Sequence, residues 1–194
     1  MTRCGIVIAF TVLASMAQAQ IQEDSPRHAY APADVLVQHA ASGDRVTVQR
    51  LLGEGVSANA RARLGVTALH NAAAMGHIEL IDLLLAAGAE LDATDWLGAT
   101  PLINACYAGQ LAAVRRLIEQ GASIDIQPET APTALIAAVR SGSLPVVEAL
   151  LAAGADPALP DAYGTTPLQA ALMANRQGMA KRLQAALQPG DEQE

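Results

Sequence analysis

Aromatic residues are scarce in this 194-residue chain, at 3%: three Tyr, one Trp and one Phe. A core made without rings has to be filled by Ala, Leu, Val and Ile, and the 52% apolar content supplies them. Cysteine is almost absent, with only Cys4 and Cys106. Lysine occurs once, as Lys181, and the other basic residues are all Arg. The adjacent basic pairs Arg115-Arg116 and Lys181-Arg182 never extend into a tract, and the formal net charge is −7. That balance lacks the clustered basic face of a nucleic-acid binder, so nucleic acid is not an expected partner. No H-x-x-x-H or C-x-x-C pair occurs, which removes the common metal spacings, and no Ser or Cys stands in a recognisable nucleophile setting. No cofactor is expected. "GEGVSA" (Gly53 to Ala58) formally fits a dinucleotide fingerprint, but that motif needs a strand before it and a helix after it, and here a helical pattern precedes and a loop follows.

The first nineteen residues read as a separate object. Arg3 gives a positive start, Gly5 to Ala14 (GIVIAFTVLA) is an apolar run too short for a stable membrane span, and Ala17-Gln18-Ala19 is a small-x-small cleavage signal. A signal peptide over residues 1–19, cut after Ala19, is the expectation, with no stable membrane insertion afterwards. Cleavage removes Cys4 and Phe10 and leaves Cys106 as the one thiol, so no internal disulfide can form in an oxidising compartment and packing alone must stabilise the fold.

Four columns then recur at a spacing of thirty-three residues. They are Thr67, Thr100, Thr133 and Thr166; Leu69, Leu102, Leu135 and Leu168; Gly43, Gly76, Gly109 and Gly142; and Gly55, Gly88, Gly121 and Gly154. The position after Gly142 in its series is Asn175, the residue that best tolerates the left-handed conformation after Gly. Each unit resolves into two short helices. Thr caps the first, with Pro101 and Pro167 at the first-turn position, and a glycine ends it. In the second helix apolar residues recur at helical spacing, as in Ile78, Ile81, Leu84 and Leu85. Ala72, Ala73, Ala105, Ala138 and Ala171 would keep the helix layers close.

"GVTALHNAAAMGHIELIDLLLAAGAELDA" (Gly65 to Ala93) resembles an ankyrin repeat, and the other units resemble it, over about residues 32–187. The resemblance implies an all-α solenoid with short β-hairpin-like turns, a stack of five repeats at about 32–62, 63–95, 96–128, 129–161 and 162–187. A flexible segment (20–31) and an acidic tail (188–194) flank it. The first unit has Asp34 in place of Thr and carries Gln38 and His39. The last carries Arg176, Gln177, Lys181, Arg182 and Gln184, the polar outer face that a solenoid cap needs. The fourth has Ala131 where its neighbours have Gly, between Pro128 and Pro132, so its turn should be distorted. His70 and His77 fall where ankyrin repeats commonly carry His, and the resemblance implies that they orient the turn and helix start.

In stacks of this kind the turn tips and the exposed side of the first helices line a concave groove. Relative to each Thr, the exposed positions are those four, three and one residues before it, and seven and eight after it. They give Arg63, Leu64 and Met75 in the second unit, and Trp96, Leu97 and Tyr107 in the third. The fourth contributes Arg140, and the fifth Tyr163 and Met173. Trp, Tyr and Arg are the residues in which binding hot spots are enriched, and Met adds an adaptable apolar surface. The expected activity is non-catalytic binding of another protein by a monomer. The leader and this repeat type point to a bacterial periplasmic or secreted protein. The resemblance further extends to support of a periplasmic enzyme such as an antioxidant enzyme, catalase being one. Two alternatives are a secreted effector that binds host proteins and a thiol-based sensor or enzyme using Cys106. The latter residue occupies the column of Ala73 and reads as a buried, inert thiol. The carboxylates Asp92 and Asp95 fall in loops with no burial to perturb them.

Overall fold

The structure, a computed structural model, describes residues 31–188. The leader, residues 20–30 and the tail from 189 lie outside the described residues. Five helix pairs follow one another: α1 (Pro32–Ser42) and α2 (Arg45–Gly53), α3 (Ala68–Met75) and α4 (Ile78–Ala86), α5 (Pro101–Tyr107) and α6 (Leu111–Glu119), α7 (Ala134–Ser141) and α8 (Leu144–Ala152), α9 (Pro167–Met173) and α10 (Gln177–Leu187). A single 3₁₀ turn lies at Arg63–Gly65, and no strand occurs among the described residues. No described helix is long and apolar enough to cross a membrane.

The odd-numbered helices form an inner row, α1 on α3, α3 on α5, α5 on α7 and α7 on α9, and the even-numbered helices form an outer row. Ala72, Ala73, Ala105, Ala138 and Ala171 are all fully buried between inner helices, as their column predicts. The larger side chains, among them Leu69, Leu84, Leu102, Leu117, Ile136 and Leu150, fill the space between the rows. One pair has an apolar face on two sides and cannot cover it alone, and stacking supplies the cover.

Helix starts follow the Thr column. The hydroxyls of Thr100, Thr133 and Thr166 accept the backbone N–H three residues on, at 3.3, 3.4 and 3.3 Å. In the second unit His70 joins in. The N–H of Thr67 donates to His70 Nδ1 at 3.3 Å, and the Thr67 hydroxyl lies 2.8 Å from the same nitrogen. His70 Nε2 is 3.0 Å from the carbonyl of Ala99. A carbonyl only accepts, so Nε2 carries the proton and Nδ1 receives. The role implied by resemblance is thus seen in the geometry, and it ties the second repeat to the third.

The glycine after an inner helix takes a left-handed conformation, and at three of the four such positions an added Cβ would also crowd a neighbouring side chain. Gly76 has φ +74°, a left-handed conformation that side chains avoid, and a Cβ there would meet Gln110 Oε1 at 2.7 Å. The same crowding sets His77 over Gly43 and Arg176 over Gly142. His77 Nε2 donates to the carbonyl of Ala41 at 3.2 Å, and Arg176 Nη2 to that of Arg140 at 3.0 Å. Asn175 takes the left-handed turn at φ +54°.

Three details differ from the sequence reading. The first inner helix starts at Pro32, preceded by Ala31 with no side-chain cap, so Asp34 lies inside its first turn and not at the Thr capping position. A carboxylate there faces the positive end of the helix. Arg176 turns back onto the previous repeat, leaving Gln177, Lys181, Arg182 and Gln184 as the exposed outer face. The cap is completed by Gln169, exposed where Ile103 and Ile136 are buried, while Leu172 remains open in a column whose other members are covered.

Two outcomes test this packing. Ala138→Leu should overpack the inner row and lower the free energy of unfolding by about 1–3 kcal/mol, read by chemical denaturation. Burial holds His70 below its ordinary value near 6.5, because an imidazolium cannot be hydrated there. The unfolded chain therefore takes up a proton that the folded chain refuses. Stability from this residue is fully present above about pH 6.5 and is lost as pH falls toward the folded value. Unfolding free energies measured between pH 7.5 and 5 should fall on acidification, with a shallower slope for His70→Gln.

Candidate partner-binding face

Between one outer helix and the next inner helix the chain makes a projecting finger. In the third unit Asp95 builds it. Its backbone N–H donates to the carbonyl of Ala99 at 3.0 Å, and the N–H of Gly98 donates back to Asp95 at 3.0 Å. Its carboxylate accepts the N–H groups of Leu97 and Ala99, both at 2.9 Å. Asp161 does the same in the fifth unit, accepting from Tyr163 at 3.1 Å and Thr165 at 2.9 Å. These carboxylates hold the fingertips; Asp95 is half-buried and Asp161 is buried. Asp92 is also engaged, receiving the N–H and hydroxyl of Ser123.

The fourth finger is distorted as its sequence predicts. Pro128 stands at the Asp95 position and has no N–H to close the turn. Ala131 is not among the residues with positive φ, whereas Gly98 and Gly164 in the same column are at +78° and +76°. Thr130 compensates by donating its hydroxyl to the carbonyl of Leu97 at 2.9 Å. The second finger has its own irregularity: Leu64 is held at φ +63°, a strained conformation for a branched side chain. Its carbonyl accepts the N–H of Trp96 at 2.9 Å, and Arg61 donates to the carbonyl of Thr94 at 2.6 Å. Neighbouring fingers are thus bonded to one another.

On this frame Trp96, Tyr107 and Tyr163 are exposed by 65, 62 and 75%. No Trp, Tyr or Phe is buried among the described residues. Leu64, Met75, Leu97 and Met173 are exposed on the same columns. Arg63 is exposed and has no hydrogen-bond or ion-pair partner for its side chain among the described residues. Arg140 differs: its guanidinium reaches the buried Asp161 carboxylate at 3.2 Å, so it braces the fifth finger as well as lining the face. The position just before Thr, expected on the exposed face, turns inward. Ala99 is buried, with its carbonyl on His70, and Val66, Pro132 and Thr165 are half-buried.

Cys106 is fully buried, and removal from water pushes its thiol well above the ordinary range. That disfavours the reactive thiolate. Among the described residues no group of three or more His, Cys, Asp or Glu is placed to hold a metal ion.

A family model described as ankyrin repeats (3 copies) matches residues 36–128 and again 126–191. The chain belongs to the ankyrin-repeat family. Comparison with curated proteins found no match. Ankyrin repeats generally mediate protein–protein interaction, and the ankyrin frame here presents its described Trp and Tyr side chains outward while Leu, Ile, Val and Ala fill the core. Since Trp96 is mostly solvent-exposed, Trp96→Ala should change stability by no more than about 0.5 kcal/mol, measured as the shift in denaturation midpoint.

Proposed function

We propose that this ankyrin-repeat protein is an exported, non-catalytic binding module that docks a partner protein along the finger and inner-helix face. The observation that carries the reading is the segregation of every described Trp and Tyr to that face, on a chain whose core contains none. Such a distribution has no packing explanation within the monomer. Bonded fingers fix the backbone that carries Trp96 and Tyr163, and α5 that of Tyr107, before a partner arrives, which limits the backbone entropy lost on docking. The leader over residues 1–19 supports export, with Gln20 as the first mature residue and the bacterial periplasm as the working compartment. Within that compartment we infer support of a periplasmic enzyme, an antioxidant enzyme being the class suggested by the exported members of the family.

The experiment is a crosslinked pull-down with the mature protein from a periplasmic extract, comparing wild type with a Trp96→Ala/Tyr107→Ala double variant. A partner captured by the first and lost by the second, at equal circular dichroism and midpoint, is the expected result. With that partner in hand, Trp96→Ala alone should weaken binding by about 2–4 kcal/mol, read by calorimetry. Unchanged affinity would remove Trp96 from the interface. Recovery of the mature protein from the medium would replace the periplasmic assignment with that of a secreted effector.

A further inference from the structure

The charged side chains of the face are arranged in an order that the apolar ones do not reveal. At the position four residues before each repeat Thr, successive fingers carry Arg63, Trp96, Glu129 and Ala162, all exposed. Arg63 and Glu129 have no side-chain partner among the described residues. The remaining charged residue of the face, Arg140, is committed to Asp161. Other arginines of the molecule are largely paired: Arg45 with Glu79, Arg50 with Glu54, Arg61 with Glu90 and Arg116 with Asp82. Two unpaired charges of opposite sign therefore flank the indole in one row.

Resting on the binding reading above, we propose that this row recognises an extended protein segment carrying an acidic and a basic residue on either side of an apolar one. The acidic residue pairs with Arg63, the apolar one lies on Trp96, and the basic one pairs with Glu129. The spacing follows from packing. Neighbouring inner helices approach to about 8–10 Å, so fingers two repeats apart are about 20 Å apart. An extended chain advances about 3.3 Å per residue, so the two charges of the ligand are about six residues apart, with the apolar residue midway. Opposite charges at the two ends fix the direction in which the segment lies, and a segment in reverse would place like charges together. The surrounding molecule is acidic, so Arg63 is the position at which an approaching carboxylate is welcomed.

The test is selection from a displayed library of random twelve-residue peptides on the full mature protein. It runs in parallel on wild type and on the charge-exchanged variant Arg63→Glu/Glu129→Arg, with both proteins first shown to share one unfolding midpoint. Wild type should enrich peptides with an acidic residue about six positions from a basic one, in a single order, around an apolar residue. The exchanged variant should enrich the opposite order. Affinity of a wild-type-selected peptide should fall at least tenfold on the exchanged variant and at least tenfold on Trp96→Ala. Peptides that need Trp96 but show no charge order, or the same order on both proteins, would overturn this inference and leave the face intact as a binding surface. Selected peptides indifferent to Trp96→Ala and Tyr107→Ala, or no enrichment at all, would overturn both.

Discussion

Close approach of the inner helices is the constraint on which the rest depends. Alanine at the buried inner columns lets one helix backbone lie near the next, and the repeat-to-repeat distance is set by that contact. The outer helices, the glycine-ended turns and the fingers all inherit the distance. Where an inner helix ends, the side chain that leads into the outer helix of the next repeat lies over it, as His77 over Gly43 and Gln110 over Gly76, and an added Cβ would force that side chain to move. Close packing thus adds to the left-handed backbone in favouring glycine at Gly43, Gly76 and Gly142.

The same translation explains why polar contacts repeat. A side chain that bonds its neighbour in the next repeat finds the equivalent atom one repeat later. Asn59, Asp92 and Asp125 occupy one column, and each accepts a backbone N–H from the following unit, from Glu90, Ser123 and Asp156. Arg61 and Gln127 share another, donating to the carbonyls of Thr94 and Pro160. Each bond is modest, with a net value of about 1 kcal/mol, and the exposed ones less. Their effect is geometric. They join the fingers edge to edge, so that a surface made of loops behaves as a continuous support.

The periodic part of this structure was legible in the sequence because a column repeated at thirty-three residues states its own environment several times. The five helix pairs, the buried alanines, the threonine starts, the left-handed Asn175 and the irregular fourth finger were all readable in that way. What escaped depended on a partner distant along the chain and found in one repeat only. The bond of Arg140 to Asp161 crosses twenty-one residues and has no counterpart, since the positions equivalent to Arg140 are Ala41, Ala74, Tyr107 and Met173. The bond between His70 Nε2 and the carbonyl of Ala99 is of the same kind, a contact made by a His in the second unit only. The positive φ of Leu64 and the early start of α1 are likewise single events, without a column to announce them.

Function in such a molecule is written at the positions where the columns disagree. The residue three before each repeat Thr is Leu64, Leu97, Thr130 or Tyr163, and the one before that is Arg63, Trp96, Glu129 or Ala162, while the Thr itself is constant. Nothing in the packing demands this variety, because the side chains concerned touch solvent and the finger backbone is held by Asp95, Asp161 or the Thr130 hydroxyl. On the proposed reading, stability and recognition are carried largely by different columns, Arg140 with its bond to the buried Asp161 being the exception. The fourth finger shows the separation at work: loss of both the aspartate and the glycine alters the tip, yet Ala134, Leu135 and Ile136 directly after it remain as buried as their equivalents in the third repeat. A solenoid of this kind can take on a new surface one finger at a time without disturbing the core beneath it.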